Sequence, residues 1–181
     1  MEMEPAHILS FWFEELRPAQ WFRASKALDQ TIRGRFHEVH RRARICELDL
    51  WRDSAEGRLA EVIVLDQFSR NIHRGLAEAF ACDALALALA QSAVALGADL
   101  DLPVERRTFL YMPYMHSESP RIHQDAARLF SAPGLEDSLR SELQHKAIIN
   151  RFGRFPHRNA VLGRVSTPEE VAFLASPGSR F

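Results

Sequence analysis

Apolar residues recur along this chain at helical spacing, and no segment alternates with period two between hairpin turn signals. That pattern restricts the chain to an all-α fold, because a half-buried strand needs alternating side chains. Ile8, Leu9, Trp12 and Phe13 share one face of a helix predicted over residues 5–16, with Pro5 suited to its first turn and Pro18 ending it. A second helix, predicted over residues 24–44, turns Leu28, Ile32, Phe36 and Val39 inward. Arg33, Arg35, Arg41 and Arg42 then face water, and His37 and His40 are read as surface residues of the same basic face. Beyond Trp51, Asp53 or Ser54 can cap a helix that carries Leu59, Val62, Ile63 and Leu65 into Asp66, with Gly75 as its break.

The next stretch, residues 77–96, is alanine-rich, which favours helix and lets neighbouring helices approach closely; Gly97 is its C-cap. Pro103 opens a helix through Phe109 to Met115, Ser119-Pro120 restarts one through Phe130, and Pro133-Gly134 turns into another through Ile149. Thr167-Pro168-Glu169-Glu170 is a capping box with proline at the first helical position. Short loops between these helices predict antiparallel pairs, and 181 residues fit a single compact domain.

Hydrophobic residues make up 46% and charged residues 26%, with a net charge of -1, so the chain can build an ordinary core and has no basic excess for nucleic acid. The longest uncharged run, residues 84–98, falls short of a membrane span, and the acidic start Met1-Glu2-Met3-Glu4 is unlike a secretory signal. A cytoplasmic location is therefore expected. Cys46 and Cys82 have neither metal nor redox spacing and are expected to act as small apolar residues.

Three segments concentrate polar chemistry. In Leu65-Asp66-Gln67-Phe68-Ser69-Arg70-Asn71, helical spacing pairs Asp66 with Arg70 and Gln67 with Asn71. Around Tyr111-Met112-Pro113-Tyr114-Met115-His116-Ser117-Glu118, Arg107, Tyr111, Tyr114 and Glu118 share a strip, and Pro113 predicts a kink or break. His116, Glu118 and His123 lack a zinc-type spacing, so no metal site is expected, and no cofactor is implied. The third segment, from Arg151 to Asn159, holds three arginines, a histidine and an asparagine around Gly153 and Pro156. Gly153 can take the positive φ that stops a helix, and the planar guanidinium suits carboxylate or phosphate. Either these arginines bind a ligand or they neutralise Asp66, Glu118 and helix-end carbonyls.

These three segments closely resemble the bacterial domain of unknown function 924 family. The likeness runs from the aromatics Phe11-Trp12-Phe13 to Leu162-Gly163-Arg164 and the Thr167 capping box, with Ser69 where proline is expected. The resemblance implies a tetratricopeptide-like helical fold and brings no activity, substrate or cofactor with it. By analogy such folds hold peptides in a concave groove.

Three functional readings remain open at the level of sequence. One is a pocket for a small anionic ligand or acidic peptide end, formed by Arg70, Asn71, Tyr111, His116, Arg151, Arg154, His157, Arg158 and Asn159. A second is a hydrolase or isomerase using Asp66 or Glu118 as general base and His116 as acid. The third is a purely structural polar network. The sequence does not define the oligomeric state.

Overall fold

The computed structural model describes residues 3–179; Met1 and Glu2, part of the acidic start, lie outside it. Among the described residues ten α-helices follow one another and no strand occurs. The first is α1 (Pro5–Ser10), which widens into a π turn over Phe11–Glu15, and α2 (Pro18–Trp21) is opened by the proline that was expected only to end α1. Helix α3 (Lys26–Arg44) starts two residues later than predicted because the Ser25 side chain caps it, accepting from the Leu28 N–H at 3.3 Å.

Ser54 caps α4 (Ala55–Ile63), a π turn spans Val64–Phe68, and α5 (Ser69–Ile72) completes the element. In that wide turn, side chains from the next turn take carbonyls: Ser69 Oγ donates to the Leu65 oxygen at 2.6 Å, and Arg70 Nη1 to the Asp66 oxygen at 2.8 Å. The alanine-rich stretch divides into a 3-10 turn, Ala77–Phe80, and α6 (Asp83–Ala95). By length and composition the whole run Ala77–Ala95, mean hydropathy 1.3, is long enough to cross a membrane. It nevertheless packs in the bundle, burying Ala86, Ala90 and Ala93 against α4 and α7 (Val104–Met115).

Pro113 does not break α7, which runs through it unbroken. Next come α8 (Pro120–Phe130), α9 (Glu136–Phe152) and α10 (Pro168–Leu174), and each of the pairs α6–α7, α7–α8 and α8–α9 packs together. Phe11, Trp12, Phe36, Phe68 and Phe109 form the aromatic centre, with Phe11 to Phe36 at 4.8 Å and Trp12 edge-on to Phe109 at 5.5 Å. A smaller cluster of Ile148, Ile149 and Phe155 fixes the bend after α9.

Two surface expectations change. His40 is buried and 2.8 Å from Ser69 Oγ, because its position on α3 faces α5, whereas His37 is exposed. Cys46 is exposed at φ +61° just after α3, while Cys82 is buried as expected.

Candidate functional site

Six stretches of chain enclose a cleft of about 560 Å³, a size common for small-molecule sites. Its apolar walls are Trp21, Phe22, Phe80, Met112, Met115 and Phe155. Gln67, Arg70 and Asn71 come from α5 and the turn before it; His116 stands at the end of α7; Ser141 and His145 lie on α9; His157 and Arg158 follow the Gly153 bend. A second cavity of about 400 Å³ lies beside it, and Phe80, His116 and Arg158 line both.

The floor is a connected ionic network. Asp66 is fully buried, lies 3.1 Å from Arg70 Nη1, and accepts from Gln67 at 2.6 Å and His116 Nδ1 at 2.8 Å. Burial alone would raise its pKa. The Arg70 charge and the bonds from His116 and Gln67 outweigh that, so the carboxyl is held well below the usual range. Arg70 makes a two-pronged contact with Asp83 at 2.9 and 3.1 Å, and Arg158 Nη1 reaches the same carboxylate at 3.1 Å. Arg158 Nη2 donates to the His116 carbonyl at 3.0 Å, and the guanidinium carbon lies 4.5 Å from the Phe80 ring centre and 4.6 Å from that of Phe155. Two guanidinium groups thus meet two carboxylates. Burial, with Arg70 nearby, lowers Arg158 to about 10.

His116 therefore presents a defined tautomer. Its Nδ1 donates to the ionised Asp66, which leaves Nε2 as the remaining ring nitrogen. Burial, then the charge of Arg70, lower the His116 pKa against the pull of Asp66, so the ring is neutral near pH 7. Burial also lowers His145 to about 3 and His157 to about 4. Three neutral imidazoles thus line one cleft. Among the described residues no group of histidines, cysteines and carboxylates is placed to hold a metal.

Of the residues singled out from sequence, Arg70, Asn71, His116, His157 and Arg158 line the cleft. Asp66 lies directly behind His116. Glu118 lines the second cavity, where Arg164 holds both its oxygens at 2.7 and 2.9 Å and the Phe155 N–H donates at 2.7 Å.

The others are turned elsewhere. Tyr111 is buried and its hydroxyl donates to Asp99 at 2.6 Å. Arg151 pairs with Glu169 at 2.8 Å, Arg154 with Glu170 at 2.7 Å, and Asn159 Nδ2 donates to Ser166 and Glu170. These three fasten the bend to α10. Nor does Gln67 bond Asn71: the π turn rotates Gln67 toward Asp66 and Met112, and Asn71 instead donates to Asp29 at 2.9 Å.

Sequence reasoning missed Asp83, His145 and the wall aromatics Trp21, Phe22 and Phe80. Asp83 did carry a signal, a charge at the head of an otherwise apolar alanine-rich helix. His145 carried none, since its spacing within α9 resembles that of any helix residue.

A helical bundle with an aromatic-walled cleft over a buried Asp-His pair is the class of protein that this fold and site define. The chain belongs to the family described as bacterial protein of unknown function (DUF924), whose model matches residues 8–178. It is similar to a solved protein of unknown function, ATU0120 from Agrobacterium tumefaciens. The two chains are 39% identical, with a TM-score of 0.90 over 94% of this chain and 96% of the other. None of the curated proteins matches.

Proposed function

We propose that the cleft binds a small organic molecule and that His116 exchanges a proton with it through Nε2, in a hydrolytic or isomerising reaction. The observation that carries this reading is the 2.8 Å contact between His116 Nδ1 and the buried Asp66 at the border of two cavities. An ionised carboxylate behind the ring fixes the tautomer and stabilises the imidazolium formed when Nε2 takes a proton, as in other histidine bases. The roles are the reverse of those expected from sequence: His116 is the base and Asp66 its orienting partner, because Asp66 is too buried to touch a ligand. Glu118, held by Arg164 and Phe155, serves the structure of the corner.

A panel of esters, lactones, phosphoesters and isomerisable hydroxy- and oxo-acids tests this, read against wild type and His116→Asn. The variant is expected to lose about 10²–10⁴-fold of any turnover found, the usual contribution of a positioned base, while folding normally. Equal turnover in the variant would contradict the reading.

A second reading, binding of a carboxylate or phosphate without chemistry, draws on Arg158, whose buried Nε has no hydrogen-bond partner. Against it, Arg70 and Arg158 are already balanced by Asp66 and Asp83, and Arg151 and Arg154 pair outside the cleft. A thermal-shift series with inorganic phosphate and monocarboxylates separates the two, since a ligand of the native state raises Tm. A shift in wild type that persists in His116→Asn and disappears in Arg158→Met supports binding without chemistry.

A further inference from the structure

We infer that His123 and Glu142 are positioning residues that share one buried proton and, through it, fix the corner carrying His116. The inference builds on the reading of His116 above, but its test does not use turnover. Both side chains are completely buried, His123 on α8 and Glu142 on α9. His123 Nε2 lies 2.8 Å from the Ser117 carbonyl oxygen and Nδ1 lies 2.8 Å from Glu142 Oε1. Ser117 is the residue between His116 and Glu118, in the turn that joins α7 to α8. The pair thus clamps the backbone next to the proposed base.

The hydrogen bonding determines how many protons the pair holds. A carbonyl oxygen only accepts, so Nε2 must carry a hydrogen. The Nδ1 contact then needs one more proton, carried either by Glu142 Oε1 or by Nδ1 itself. Moving it between them leaves the total charge at zero. Glu142 Oε2 is buried without a partner, which costs less for the carbonyl oxygen of a neutral acid than for half of a carboxylate. The favoured state is therefore a protonated Glu142 donating to a neutral His123. Burial raises the Glu142 pKa, against opposing effects from His123 and Lys146. The ionisable groups around the pair are Lys146, one turn along α9 from Glu142, and His145, three residues along the same helix, which also feels His123.

When that proton leaves, a lone pair and a carboxylate face each other at 2.8 Å, and the ring must release Ser117 or turn. Glutamine at position 142 would donate its amide hydrogen to Nδ1 at every pH. Ring 15N shifts of His123 and His116 recorded from pH 6 to pH 10 in wild type, Glu142→Gln and Glu142→Ala test this. In wild type, His123 should carry its hydrogen on Nε2, and the His116 signals should move in step with ionisation of the pair on the alkaline side. Glu142→Gln should keep the wild-type His116 signals and remove that alkaline step, whereas Glu142→Ala should displace them at every pH. Should the alanine variant not fold, wild type against glutamine decides alone. A wild-type alkaline step that survives in Glu142→Gln, or a wild-type His123 whose Nε2 carries no hydrogen, would overturn the inference. Neither result bears on whether His116 transfers protons to a ligand.

Discussion

Tyr111 and His116 are five residues apart at the end of α7, yet only His116 reaches the cleft, because a helix turns positions that far apart to different sides. Tyr111 instead satisfies Asp99 in the interior. Tyr111→Phe should cost about 1.5–3 kcal/mol of unfolding free energy, since it strips a buried carboxylate of a donor, and it should leave ligand-induced Tm shifts unchanged. Denaturant titration checks the first part; an unchanged midpoint would mean that Asp99 finds another donor. Asp66→Asn makes the opposite distinction. It removes the charge that fixes His116 and leaves Arg70 with Asp83 alone, so stability should fall by about 3 kcal/mol, as when one member of a buried pair is removed. Any turnover found should fall with it.

At the scale of elements, the approach of α4 to the 3-10 turn before it, Asp49–Asp53, decides the outcome of a substitution that propensity alone would get wrong. Gly57 lies inside α4, where alanine would ordinarily gain about 1 kcal/mol. A methyl group there would overlap the Trp51 carbonyl oxygen, so Gly57→Ala should lower Tm. A higher Tm would show that the turn moves aside freely. The C-terminal helix tests the bend after α9. Glu170 accepts from Arg154, from the Thr167 N–H and from Asn159, and these contacts, led by Arg154, lower its pKa to about 2. Glu170→Gln should speed amide exchange in α10 and around residues 153–158 while α3 and α4 keep wild-type protection. Uniform protection along the chain would contradict this anchoring role.

Across the whole molecule, buried histidines couple stability to pH. Burial lowers His40 and His157 to about 4 and His145 to about 3, and lowers His116 as well. A histidine with a depressed folded pKa stabilises above its unfolded value, near 6.5, and that contribution is lost as pH falls toward the folded value. Protonating each strongly shifted one costs on the order of 3–5 kcal/mol. The Tm should therefore drop steadily between about pH 6.5 and 4, before carboxylate protonation adds to it; a flat Tm over that range would show that these rings are hydrated. The sequence made the helices legible because periodicity and caps such as Ser54 and Thr167 are local, and it located His116, Arg70 and Arg158 through their dense polar segments. It could not show that Arg151 and Arg154 turn to α10, or that Asp83 and His145 enter the floor and wall, because long-range packing decides those. The π turn at Val64–Phe68, which directs Gln67 to Asp66, is likewise invisible to a 3.6-residue period. What these distant segments converge on is a neutral His116 whose Nδ1 is tied to Asp66, and the ring 15N shifts of His116 between pH 5 and pH 8 test that most directly. The structure predicts a neutral ring at pH 7 with its hydrogen on Nδ1, becoming charged only below about 6.5; a charged ring at pH 7, or a hydrogen on Nε2, would contradict it.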